Sequence, residues 1–191
     1  MSQHGVSGID REEIYRQLWP ESTRDVRVFA LLDAARDPDI ERLIRNGGLE
    51  YDCLLAGELS RKMRSSAPYI VRLTPEAALT HSIIQRGWGQ SWGVFALAWD
   101  KTLYDIRRHF RRFLRVKDES NRTLFFRYYD PRVLRAYLPT CTGLEVRRFF
   151  GPVALMMAES EGGDRLLAFR QRPEGVNTFA VPLTIDSPQT V

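Results

Sequence analysis

Lysine is nearly missing from this 191-residue chain: of its 28 basic residues 25 are Arg and only 3 are Lys. Cysteine is as scarce. Cys53 and Cys141 share no short spacing, which excludes a disulfide framework and leads us to expect a reducing compartment. The three histidines, His4, His81 and His109, lie far apart and form no ligand pattern with one another or with a cysteine. A structural zinc site takes four N/S ligands and a catalytic one about three protein ligands, so no metal is expected. Long apolar runs are absent too. The longest uncharged stretch, residues 87–99, has 13 residues and is broken by glycines, whereas a bilayer span takes about 20 apolar residues. The opening MSQHGVSGIDREE shows no basic start followed by an apolar run, so no signal peptide is expected. These absences describe a soluble, cytoplasmic protein without membrane contact.

Chemistry-bearing motifs are thin as well. Gly47-Gly48 closes a helix instead of opening one, and no Gly-rich loop follows the first strand, so a phosphate-binding loop is not expected. Ser91, in Gly89-Gln90-Ser91-Trp92-Gly93, has the spacing of a nucleophile elbow but precedes a strand, where the elbow must follow one. Asp33 and Glu58 are the carboxylates to weigh as acid or base. Asp33 falls at the end of a buried strand, where capping or pairing with Arg36 is the simpler role. No catalytic set emerges, no cofactor is implied, and no enzyme is expected.

What is present suits one globular domain. Hydrophobic residues make up 43% and charged residues 27%, and a chain of this size buries about 70% of its unfolded surface. Residues 1–8 read as a disordered lead-in, 9–175 as the domain, and 176–191 as an edge strand with a loose tail. Asp10 with Glu13 fits a capping box for a short helix that Pro20 ends. The run VRVFALL at 26–32 is too apolar for a half-exposed strand and reads as a central one. Further strands are expected at 51–56, 69–73, 92–98 and 123–129, and a hairpin from 153–158 and 165–171 across Glu161-Gly162-Gly163-Asp164. Helices are expected after Asp37-Pro38 and Thr74-Pro75-Glu76, over 101–116, after Asp130-Pro131, and after Thr142 with its Glu145; 58–66 is a polar helix or loop. This alternation implies an α/β domain with a mixed sheet, helices on its faces and a C-terminal β-hairpin.

Charge is distributed unevenly. The net charge is +4, yet residues 101–135 carry 11 basic and 4 acidic residues, while the rest of the chain has 17 basic and 20 acidic. At about 100° per residue, helix 101–116 (KTLYDIRRHFRRFLRV) puts Leu103, Ile106, Phe110, Phe113 and Leu114 on one face. Arg108, Arg111, Arg112 and Arg115 fall opposite, with Arg107 at the edge. Three readings compete. A solvated, salt-bridged face comes first, since charge runs usually are that. Behind it stand a phosphate-tracking nucleic-acid surface and a docking face for an acidic protein segment. The aromatics do not interleave the arginines, and no nucleic-acid motif accompanies them.

Several words of the sequence, in order, carry a family resemblance. They are Phe29-Ala30-Leu31-Leu32-Asp33-Ala34-Ala35, Ala67-Pro68-Tyr69-Ile70-Val71-Arg72-Leu73, Trp92-Gly93-Val94-Phe95 and the His-Phe-Arg-Arg-Phe-Leu centre of 106–116. The most specific is Phe126-Arg127-Tyr128-Tyr129-Asp130-Pro131-Arg132-Val133-Leu134, followed by Phe149-Phe150-Gly151-Pro152. Together they resemble the type VI secretion adaptor family, also called effector chaperones, whose members carry the domain of unknown function 4123. The resemblance implies a non-enzymatic cytoplasmic adaptor that holds a toxic effector and helps load it onto a VgrG spike. Candidate contact residues are then Arg107, Arg108, Arg111, Arg112, Arg115, Arg127 and Arg132, while Asp130, Pro131, Gly151 and Pro152 are expected to be structural. Many members continue into a further C-terminal region; here only a hairpin and tail follow Gly151-Pro152.

Overall fold

A computed structural model describes residues 8–21, 25–117 and 119–183. Residues 1–7 of the lead-in expected over 1–8, and the last residues of the tail (184–191), lie outside that set. The described residues form a single α/β domain built on a seven-stranded sheet in the order β2-β3-β1-β4-β7-β8-β9. β1 (Val26–Asp33) lies inside it, between β3 (Pro68–Leu73) and β4 (Gly93–Trp99). β2 (Tyr51–Cys53) forms one edge. On the other side follow β7 (Leu155–Glu159), β8 (Arg165–Gln171) and β9 (Val176–Pro182) at the far edge.

β1 shows why its sequence is apolar almost throughout. Val28, Ala30 and Leu32 face one hydrophobic layer, and Phe29 and Leu31 face the other. Both faces are covered, so alternation with polar residues has no place. The first layer is closed by α1 (Arg11–Leu18), α2 (Asp39–Asn46) and α4 (Ala78–Ser82), through Ile14, Leu18, Ile40, Ile44 and Leu79. A π-helical turn, Ile83–Gly87, continues α4 and adds Ile83 and Ile84. The second layer is closed by α5 (Leu103–Arg111), α6 (Pro131–Tyr137) and α7 (Gly143–Phe150), through Ile106, Phe110, Leu134, Val146 and Phe149. A four-residue helix, α3 (Arg61–Arg64), buries nothing.

Strand direction departs from the mixed sheet expected. Every pairing is antiparallel. The strand–helix–strand units do exist, since β1 and β2 run the same way, as do β3 and β4. Each such pair is held apart by an intervening strand, β3 in the first case and β1 in the second. Helices therefore cross over strands that are never direct neighbours, and local alternation gave no sign of the insertion. The C-terminal hairpin β7–β8 is present, and β9 pairs with β8 from Val176 to Pro182.

Two further expectations change. Residues 123–129 are not one strand: only β6 (Thr123–Phe125) is extended, and it pairs with β5 (Arg115–Lys117) in a separate small ribbon. Phe126 and Tyr128 instead pack their rings edge-on or stacked against Tyr137, Phe110 and Phe149, and aromatic packing of this kind outweighs a ladder with no neighbour left to join. Likewise the helix expected over 101–116 stops at Arg111. Bonds from Arg112 N to His109 O, Phe113 N to Phe110 O and Leu114 N to Arg111 O tighten its last turn. The chain then enters β5.

Candidate protein-docking site

α5 starts at a full capping box. Thr102 accepts from the Asp105 amide, and the Asp105 carboxylate takes the Thr102 amide in return. Leu103, Ile106 and Phe110 bury one side of the helix, so its arginines are forced outward or sideways, and they take up different tasks. Arg107 lies over edge strand β2, donating Nε–H to the Cys53 carbonyl at 2.8 Å and pairing with Asp52 at 2.9 Å. It ties helix to sheet. The Arg108 guanidinium sits 6.0 Å from the ring centre of Tyr104, itself exposed.

Arg112 is committed to a neighbour. Its Nη2 donates to His109 Nδ1 at 2.8 Å, and an arginine can only donate. Nδ1 is therefore the acceptor, so Nε2 carries the proton and donates to the Phe149 carbonyl at 2.7 Å. Burial pushes the His109 pKa down; the Phe149 carbonyl opposes this and the Arg112 charge adds to it. The ring also explains Gly151. Gly151 ends α7 at φ +51, and a Cβ there would lie 2.2 Å from His109 Cε1. Glycine is required on both counts.

Arg111, Arg112 and Arg115 line a groove of about 400 Å³. Leu54, Leu55, Ala56, Leu59, Met63, Leu114 and Phe125 complete the lining. Because the helix ends early, Arg115 comes from β5 and Phe125 from its partner strand β6, directly across the ribbon in register. Among the described residues neither Arg111 nor Arg115 has a carboxylate within ion-pairing distance. Met63 and Phe125 remain 49% and 46% exposed.

Arg127 and Arg132 are not part of this lining. Arg132 grips Asp130 with a two-pronged fork, Nε to Oδ1 at 2.9 Å and Nη2 to Oδ2. Burial raises the Asp130 pKa, but the Arg132 bonds outweigh it and hold the carboxyl below its ordinary value. Asp130 also caps α6 by accepting from the Arg132 amide, with Pro131 at the first turn. Arg127 is 4.0 Å from Asp33 Oδ2. Asp33 is 1% exposed; its Oδ1 accepts from the Ala35 amide at 3.0 Å, while Oδ2 has no hydrogen bond. Burial raises its pKa, against the Ala35 amide and the Arg127 charge.

One acidic residue escaped the sequence reading. Glu159, at the end of β7, is 6% exposed and organises the Gly89–Ser91 turn, accepting from the Gly89 and Ser91 amides and the Ser91 hydroxyl. Ser91 is thereby a turn residue at φ +56. The only available signal was an acidic residue closing an apolar run. Cys53 and Cys141 are free thiols, and burial raises both pKa values, the opposite of what a nucleophile needs. No group of three or more His, Cys, Asp or Glu is placed to hold a metal among the described residues, and no helix there is long and apolar enough to cross a membrane.

The groove and the Arg132–Asp130 fork lie within one stretch of chain. A family model described as Domain of unknown function (DUF4123) matches residues 28–148. The chain belongs to this family. The DUF4123 match runs from β1 into α7 and contains every residue that lines the groove. β7, β8 and β9 lie beyond it. No curated protein and no solved structure matches the chain.

Proposed function

We propose that this protein is a non-enzymatic, cytoplasmic adaptor of type VI secretion that binds a toxic effector protein and helps load it onto a VgrG spike protein. The observation that carries the reading is the family match over residues 28–148, since the DUF4123 family is associated with type VI secretion adaptors. The surface supports it. An adaptor needs accessible contact chemistry more than a catalytic constellation, and the Arg-walled groove supplies such chemistry. The test is affinity capture of the tagged protein from its native cell lysate, with mass spectrometry of what co-elutes. A spike protein together with one toxin-like protein is the expected result. Recovery of neither overturns the reading.

Unpaired guanidinia also suit phosphate, so nucleic-acid binding through the 101–116 segment is the second reading. Titration of labelled duplex and single strands separates the two, because phosphate-driven binding weakens steeply with salt. Absence of binding at low salt ends that alternative.

A further inference from the structure

The groove between α3, the segment after β2 and the β5–β6 ribbon combines two features that rarely stay exposed together. Its apolar lining includes Leu54, Leu55, Leu59 and Met63. The same lining holds Arg111 and Arg115, which lack any carboxylate partner among the described residues, although many other arginines here are paired. A soluble surface usually neutralises such charges or scatters such apolar atoms. The charge balance of the chain sharpens the point, since residues 101–135 hold 11 basic against 4 acidic residues.

We infer that this groove is the seat of an acidic, amphipathic segment of a partner protein, whose leucine-like side chains enter between Leu55, Met63 and Phe125 while its carboxylates pair with Arg111 and Arg115. The inference rests on the adaptor reading and names the chemistry of one contact. A cavity of about 400 Å³ lies at the small end of ligand pockets, a volume suited to a few apolar side chains and not to a whole domain. Met63 is unbranched and adaptable, so it can reshape around different apolar anchors. Guanidinium forks pair carboxylates bidentately and fix the register of the segment. Arg112 contributes less, because its Nη2 is held by His109. Arg107 contributes nothing to the groove, since it is spent on Asp52 and Cys53.

The experiment uses the full chain and a fluorescein-labelled peptide of alternating glutamate and leucine, read by fluorescence anisotropy. Two control peptides replace every glutamate by lysine or every leucine by serine. The glutamate–leucine peptide is expected to bind at least about tenfold more tightly than either control. Its binding should weaken toward about 1 M salt, where the Debye length falls to about 3 Å. The double variant Arg111→Glu/Arg115→Glu should lose about tenfold or more in affinity with an unchanged melting temperature. Arg172→Glu, on an exposed residue between β8 and β9 and outside the groove lining, should bind like the native chain. Equal binding of the lysine peptide, or native-like binding by the double variant, overturns the inference. So does a chain that ignores the peptide and binds labelled duplex DNA through Arg111 and Arg115. The two proposals fail separately. If captured spike and toxin proteins remain bound to the double variant, the groove assignment falls and the adaptor stands. If the peptide binds but neither protein is ever captured, the adaptor falls and the groove stands.

Discussion

Asp33 carries a cost that Asp130, also a buried aspartate, avoids. Asp130 has a guanidinium fork, whereas Asp33 Oδ2 has only Arg127 at 4.0 Å. Burial raises the Asp33 pKa, so the folded chain holds this proton more readily than the unfolded one. Its stabilising contribution is then complete below the ordinary value of 3.8 and is lost as pH rises through the raised one. Above that range the fold bears a buried, poorly paired charge. Asp33→Asn keeps an oxygen for the Ala35 amide and removes that charge. It should raise stability at pH 7 by on the order of 1 kcal/mol, measured by urea unfolding, and the gain should vanish below about pH 3.8. A variant less stable at pH 7 would show that Arg127 outweighs burial.

Among the elements, those declared by local chemistry were readable from sequence. The Thr142/Glu145 box caps α7 as expected, Thr142 accepting from the Glu145 amide and Glu145 bonding the Thr142 amide and hydroxyl. Thr142→Ala should cost about 1 kcal/mol, visible as a lower melting temperature, and α7 carries Phe149 and Phe150 into the second layer. Asp130-Pro131 and the apolar β1 were equally explicit. Hidden were the features set by distant partners. Nothing local in HFRRFLRV says that helix gives way to strand after Arg111, because the reason is a ribbon with 123–125. That change took Arg115 off the expected stripe and brought it opposite Phe125. The arginines were legible as a group; their division into a tie to β2, a clamp on His109 and a groove wall was not.

At the scale of the molecule, β9 and the residue after it belong to the body of the fold. Leu183 is fully buried in the first layer, its amide donates to the Asp164 carbonyl, and its own carbonyl takes the Asp10 amide. Leu183→Ala should therefore cost about 3 kcal/mol, seen as a shift in the urea midpoint with an unchanged slope. A cost near zero would mean that the edge closes without it. The insertion of β1 between β3 and β4 brings a related dependence, because the central strand is not seated until both of these neighbours, which come later in the chain, arrive. Contacts of long sequence separation of this kind slow folding.

The Asp10–Leu183 contact also decides how the domain meets mechanical load. The two residues are bonded to each other, so a pull applied through the chain before Asp10 and after Leu183 acts from a single point. It does not stretch the sheet along its strands. Tension would first break that contact and then load both of its sides, peeling β9 from β8 a hydrogen bond at a time, as a zipper opens, and drawing α1 off the first layer, before β1 and the groove are reached.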